Sequence, residues 1–285
     1  MVTRAEAAKE LLRRREARRS LLSFIRYINP DYIVSDFAIQ VCAELERFLA
    51  DCLAGLRPLL ILEAPPQHGK SDMVSRYLPA FIFGHYPDLR LAGLSYAKDL
   101  ASDMNRDVQA IMSTPEYSQL FPRSSMAKSA GVANSDKFDV PNGRGAYVGQ
   151  GVGGPLTGKR VDIGIIDDPI KNSKEALSPT VKESIWKWYG STFLTRLSKN
   201  SGHIIMATRW ATDDLSGRVL AANPKARRLS FPAINEKGEP LVPELHPLEK
   251  LLETKQALGD YFWSAMYQGS PKTLGGAIFK DSGVR

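Results

Sequence analysis

Leu59-Leu60-Ile61-Leu62-Glu63-Ala64-Pro65-Pro66-Gln67-His68-Gly69-Lys70-Ser71 decides the fold. An apolar run suited to a buried strand gives way to a tight loop, and Gly-Lys-Ser opens a stretch with helical spacing. That order makes a phosphate-binding loop, because loop and helix N-terminal N–H groups converge on anionic oxygens. The pattern assigns Pro66, Gln67, His68, Gly69, Lys70 and Ser71 to a polyphosphate. Lys70 belongs near the β- and γ-phosphates, and the Ser71 hydroxyl on Mg²⁺. Ala64 stands where such loops usually begin with glycine, which is tolerable where φ stays negative. Lys70 is expected to point into a solvent-open loop. Gly-Lys-Ser alone leaves an ordinary strand-to-helix turn as the alternative.

Outward from this loop, composition sets the frame. A chain of 285 residues, 43% hydrophobic, suggests one large domain or a domain with a small appendage. Cys42 and Cys52 lie in one helical segment without metal-type spacing and read as buried thiols of a reducing compartment. No apolar run reaches membrane-span length, and the polar N-terminus is not a secretory signal. Residues 1–30 hold eight Lys/Arg against three acids, so +5 of the net +7 sits there and the body is nearly neutral. High pI is therefore a poor argument that the body grips DNA. The Arg-rich start is either a contact for nucleic acid or an acidic partner, or a solvated helix face.

Thr3-Arg4-Ala5-Glu6 reads as a capping box opening a helix through about Arg19. Phe37, Val41, Leu45, Phe48 and Leu49 give a second helix over 36–56. Strands are expected at 59–63, 90–95, 162–166, 203–208 and about 228–232, and helices at 70–83, 97–113, 178–198 and 213–221. This alternation predicts an α/β fold with a mostly parallel central sheet flanked by helices. Ser178-Pro179 marks the start of the 178–198 helix. Asn142-Gly143 predicts a tight turn between 138–140 and 146–148, and the glycines from Gly149 to Gly158 predict a flexible loop. Residues 233–285 lack strong periodicity and read as an appendage or linker. The division is 1–56 (helical segment and adenine-side helix), 57–232 (P-loop core) and 233–285 (linker subdomain).

A P-loop needs a carboxylate partner for Mg²⁺. Val161-Asp162-Ile163-Gly164-Ile165-Ile166-Asp167-Asp168 supplies two at a strand end. Asp167 is assigned to the metal and Asp168 to the attacking water as general base. The alternative is a strand ending in an Asp-Asp-Pro turn. His203–Thr208 is a third strand, whose terminal hydroxyl, Thr208, suits the γ-phosphate region. Arg209 is either a cis catalytic residue or a structural pair for Asp213 or Asp214.

With these elements in order, the chain resembles the large terminase subunit of tailed bacteriophages. The resemblance rests on Ala64–Ser71, Leu94-Ser-Tyr-Ala97, Gly153-Gly-Pro-Leu-Thr-Gly158, Ile165–Asn172, Ala207-Thr-Arg-Trp210, Tyr261–Gln268 and Gly275-Gly-Ala-Ile-Phe279. It implies an ATPase (cofactors ATP and Mg²⁺) of the additional-strand type, with the catalytic carboxylate on an added central strand. It also implies a small helical subdomain from the chain ends. The activity implied is ATP hydrolysis that powers translocation of double-stranded DNA into a procapsid. The partners implied are DNA, the portal and procapsid, the small terminase subunit and further copies in a ring, with a monomer in isolation, no membrane, and the host cytoplasm as setting. Gln40 matches the family's adenine-reading glutamine. Gln67 and His68 stand where many members carry a basic P-loop residue, so a trans-acting arginine is expected, with Arg160 its nearest candidate. The family continues into a ribonuclease H-like nuclease domain near where this chain ends, so an ATPase portion without nuclease activity is expected. A helicase-like ATPase outside packaging, or an assembly module with a weak nucleotide site, are the alternatives.

Overall fold

Four of the strands are near-continuous apolar runs, the pattern of strands covered on both faces. The computed structural model describes residues 3–127, 133–156, 158 and 160–272. Residues 275–279 and Thr157, which carry part of the resemblance, lie outside the described residues.

The N-terminal part is helical. α1 (Arg4–Ala17) begins with the expected reciprocal Thr3–Glu6 capping box and stops slightly short of Arg19. α2 (Leu21–Ile28), capped by Ser20, has no counterpart in the sequence reading; eight residues are too few for helical periodicity to stand out. α3 (Asp36–Leu53) buries the stripe read from the sequence, together with Cys42 and Cys52. Both thiols are free, and burial pushes each up to about 12. Part of the arginine run is structural: Arg18 donates to the Leu120 and Gln119 carbonyls, and Arg14 pairs with Glu10.

The core follows as β1 (Leu59–Glu63), α4 (Leu78–His85), β2 (Arg90–Ser95), α5 (Lys98–Ser113), α6 (Pro115–Leu120), β3 (Lys137–Asp139), β4 (Ala146–Gly151) and β5 (Val161–Asp167). α7 (Ser173–Ala176), α8 (Pro179–Trp188), β6 (Leu197–Ala207), α9 (Leu215–Ala222), β7 (Arg227–Ser230) and α10 (Leu248–Phe262) complete it. The sheet order is β3-β4-β2-β5-β6-β1-β7, with only β3–β4 antiparallel. Alternate strand residues serve opposite faces. Leu60, Leu62, Ile165 and Met206 pack against α2, α3 and α4. Ile61, Leu94, Ile166 and Ile205 pack against α8 and α9.

Several boundaries differ from expectation for local reasons. The helix after the P-loop starts at Lys70 but widens into a π-turn, Asp72–Tyr77, before α4. Pro79, at the start of α4, has no N–H to give Ser75, and the Leu78 N–H reaches back to Met73 instead. The predicted 178–198 helix ends earlier, through a π-turn and one 3₁₀ turn, because the stretch from Leu197 joins β6. Gly149 and Gly151 are not loop residues but belong to β4. A Cβ at Gly149 would stand 2.7 Å from the Ala101 carbonyl, so the glycine there lets α5 approach the sheet. Within 233–272, α10 and a π-turn, Trp263–Tyr267, form a small cluster of Ala233, Leu251 and Trp263. Only Leu251 of α10 is buried and Gly259 interrupts it at φ +72°, which erases the apolar period.

One strand, β6, is inserted between P-loop strand β1 and carboxylate strand β5, giving the additional-strand arrangement. The inserted strand carries Thr208 at its end; the carboxylates close its neighbour β5, not the added strand itself. No helix among the described residues is long and apolar enough to cross a membrane.

Candidate nucleotide site

Register brings three chain ends together. Glu63 pairs with Ala207, and Asp167 pairs with Met206. The P-loop, Thr208 and Asp168 therefore leave the same edge of the sheet side by side. Binding crevices of open parallel sheets lie at such carboxyl ends.

Backbone strain shapes each piece. Gln67 has φ +59° and Gly69 φ +83°, and Ala64 is not among the positive-φ residues, so its replacement of glycine is sterically harmless. Open space lies where a Cβ on Gly69 would point. Asp168 also has positive φ, +45°, a conformation Asp tolerates better than most residues. That turn lets its carbonyl accept the Tyr96 N–H and its N–H reach the Met206 carbonyl, fixing it between β2 and β6.

Lys70, Asp168 and Thr208 form a closed triangle. Lys70 Nζ donates to Thr208 Oγ1 at 3.0 Å and lies 3.3 Å from Asp168 Oδ2. Asp168 Oδ1 accepts the Thr208 N–H at 2.5 Å. Contrary to the solvent-open expectation, the Lys70 side chain is 5% exposed. Asp167 is buried beside it, and its oxygens accept the Ser75 hydroxyl at 2.7 Å and the Ser71 hydroxyl at 3.4 Å. Burial, and then the neighbouring Asp168 charge, push Asp167 up to about 7 against these hydrogen bonds and Lys70. Ser75, one helical turn after Ser71, is a site residue the sequence reading missed.

The donor set fits Mg²⁺. Two adjacent carboxylates with the Ser71 and Ser75 hydroxyls are all hard oxygen, and Mg²⁺ takes one or two carboxylates with water and phosphate oxygens. Groups of three or more His, Cys, Asp or Glu suited to an all-protein metal cage are absent among the described residues.

His68 is neutral: burial lowers it to about 4 against its hydrogen bond to the Pro66 carbonyl, and the His246 and Lys70 charges act with burial. Pro66 and Gln67 supply loop carbonyls, to His68 Nδ1 at 2.7 Å and to His246 Nε2 at 3.0 Å. Arg209 is a structural residue. It donates to Asp214 through Nε at 2.8 Å, to Glu63 through Nη1 at 2.7 Å and to the Ala211 carbonyl at 3.1 Å. Asp213 pairs with Lys182 instead.

One predicted residue, Arg160, is not brought to this edge. Arg160 precedes β5 and holds Asp162 at 3.0 Å, at the opposite end of the sheet. Seven residues at about 3.3 Å each put it about 20 Å from the carboxylates of its own chain. Gln40 lies on the exposed side of α3.

Strand order, P-loop, paired carboxylates and inserted strand define a P-loop NTPase of the additional-strand class. Residues 61–283 match the family model of the terminase large subunit, T4-like-virus type, N-terminal part, and the chain belongs to that family. Two solved structures are similar. The HK97 bacteriophage large terminase has TM-score 0.55 and 12% identity, over 89% of this chain and 55% of that one. An alanine mutant of the Thermus phage P74-26 large terminase ATPase domain has TM-score 0.54 and 14% identity, over 76% and 91%. At such identities the likeness is one of fold. This chain spans about 55% of the HK97 chain's length. A comparison with curated protein sequences finds no match.

Proposed function

We propose that this chain hydrolyses ATP, and that hydrolysis drives double-stranded viral DNA into a procapsid. The observation that carries the reading is the Lys70–Thr208–Asp168 triangle at the carboxyl edge of the sheet, beside buried Asp167. Phosphate oxygens compete for the same ammonium that Asp168 now holds. Moving Lys70 to the β- and γ-phosphates frees one Asp168 oxygen to accept a proton from the attacking water. Thr208 meets both partners, through its hydroxyl and its N–H, and so responds when Lys70 moves. Pro66 to Ser71 provide the phosphate cradle. Mg²⁺, held by Ser71 and Asp167 with Ser75 behind them, would neutralise charge on the phosphate oxygens.

The remaining assignments follow the family. Arg160 is proposed to act in trans within a homo-oligomeric ring, since in its own chain it faces away from the site. The portal and procapsid, the small terminase subunit and DNA are the proposed partners, in the host cytoplasm. Residues 1–56, 57–232 and 233–285 are proposed as the functional divisions. The test is the steady-state ATPase rate with and without double-stranded DNA. A rate that rises with duplex DNA supports a packaging motor. Stimulation by single strands alone favours a helicase-like enzyme, and no hydrolysis under either condition favours an assembly module.

A further inference from the structure

A cavity of about 460 Å³ opens at the end of the sheet opposite the nucleotide edge. Leu59 and Leu197, the first residues of β1 and β6, line it. Trp186 of α8, Tyr189 of the π-turn that follows, and Val219 and Ala222 of α9 form its other walls. The Trp186 and Tyr189 rings stack at 5.8 Å and 24°, giving an aromatic wall. Such a volume, lined mainly by apolar side chains with a few polar groups, is the pattern of a ligand pocket.

The polar groups among these walls are Arg57, Ser201 and His203, with Asn223 at the end of α9. Arg57 has φ +54°, and its guanidinium has no hydrogen bond or ion pair among the described residues. Ser201 is 2% exposed, and its Oγ is buried without a partner. A buried polar atom left so is costly, and a ligand that satisfies it is favoured. His203 Nε2 meets the Tyr189 hydroxyl at 2.9 Å. Burial, and then the Arg57 charge, hold His203 down to about 4, so the imidazole is neutral and Arg57 is the one charged residue of the lining.

Sequence sets the sign of the surroundings. Residues 52–62, 184–212 and 215–235 supply every wall and contain no Asp or Glu. Asp51 and Glu183, which flank these segments, are held by Arg227 and Arg218. An anion entering the cavity therefore meets Arg57 with no acid of the walls competing for it.

We propose that this cavity binds a ligand in which an apolar ring carries a carboxylate, the ring against Trp186 and Tyr189 and the carboxylate on Arg57, with the Ser201 hydroxyl as a further donor. A free aryl acid has this chemistry, and so has an aromatic residue beside Glu or Asp in a peptide of another protein. A nucleotide also joins a ring to an anion, but its base would strand polar ring atoms against Leu59, Leu194, Leu197 and Val219. The site stands apart from the ATPase reading, because β1 and β6 carry the chain from this cavity to the other end of the sheet.

Calorimetric titration of the full chain tests it, with indole-3-acetate, indole-3-acetamide and the peptide acetyl-Glu-Trp-Glu-amide as probes. Indole-3-acetate should bind with a Kd of about 1 mM or tighter, and the uncharged amide about 10-fold more weakly. Arg57→Gln should remove that difference. Ala222→Trp sets a large ring at the exposed end of α9 and should block both probes while the melting temperature stays near wild type. Tighter binding of the peptide than of indole-3-acetate assigns the cavity to a partner protein, and the reverse assigns it to a free acid. Absence of binding below about 10 mM, equal affinity of acid and amide for wild type, or binding unchanged in Ala222→Trp overturns the inference. Displacement of indole-3-acetate by a lower concentration of dAMP also overturns it, by making the cavity a nucleotide site.

Discussion

Asp168→Asn separates the proposed base from its structural surroundings. Asn keeps an oxygen that can accept the Thr208 N–H, now at 2.5 Å, and it tolerates the positive φ of +45°. It loses the charge facing Lys70 and the capacity to take a proton. Stability should fall modestly, because buried Lys70 loses its charged partner, while hydrolysis falls about 10²–10⁴-fold, about 3–5 kcal/mol of barrier. Asp168→Ala behaves differently. A left-handed alanine costs about 1–2 kcal/mol, and the Thr208 N–H left without an acceptor adds about 1–3 kcal/mol, so it should also lose about 2–5 kcal/mol of stability. Phosphate release at saturating MgATP, fluorescent-nucleotide affinity and urea unfolding together check the three quantities. Asp168→Asn with turnover within threefold of wild type and unchanged affinity would show that another group activates water. Glu175 is badly placed for that work, because its carboxylate accepts the Lys171 N–H beside α7.

Lys70→Ala should abolish phosphate release, as measured in single-turnover assays; retained turnover removes the lysine from the site. Arg209→Ala should cost about 3–5 kcal/mol in urea unfolding, as expected for breaking a buried ion pair, towards the lower end because Arg228 still meets Glu63 at 2.7 Å; a loss below about 1 kcal/mol contradicts the reading of a fully paired network. His203 is buried and held down to about 4, so the unfolded chain takes its proton first on acidification. The stability His203 contributes is complete above about pH 6.5 and is lost as pH falls towards 4, about 3 kcal/mol at about 1.4 kcal/mol per pH unit; His203→Gln should flatten that slope in pH-dependent melting. Arg160→Ala chains mixed with Lys70→Ala chains should recover hydrolysis if Arg160 acts in trans, where an arginine finger is worth about 10³–10⁵ in rate; no recovery at any mixing ratio excludes it.

The central strands were legible because a parallel sheet demands residues apolar on both faces, and few other elements in the chain look like Leu59–Leu62 or Ile163–Ile166. Asp167 and Thr208 were legible for a related reason, since they close or directly follow such a strand, and Lys70 and Ser71 through the Gly-Lys-Ser pattern that follows the loop after β1. Ser75 was not. Its partner Asp167 is 92 positions later in the chain, and a serine inside an apolar helix carries no outward mark. The buried state of Lys70 was equally hidden, since it depends on β6 lying between β1 and β5, and strand order is absent from local pattern. His246 was missed because its partner is 178 positions earlier in the chain and the segment around it has no period. Arg160 was chosen for nearness in sequence to the glycine loop, but a parallel strand carries the chain from one end of the sheet to the other, so neighbours in sequence across β5 are far apart in space.

The short stretch after β6 joins the chemistry to the rest of the molecule. Thr208 touches both Lys70 and Asp168. The next residue, Arg209, is buried and bonded at Nε, Nη1 and Nη2, to Glu63 just before the P-loop and to Asp214, which caps α9. Trp210 follows, its N–H on Asp214 and its ring edge-on to Phe262 of α10 at 6.3 Å. A paired guanidinium in a low-dielectric setting is stiff, because each lost bond leaves a buried charge uncompensated. A shift of Thr208 therefore has little room to dissipate at Arg209 and is passed to β1, to α9 and to α10 together. Two links then join the site to the C-terminal helical unit: this one through Trp210, and the His68–His246 stack on the other side of the loop.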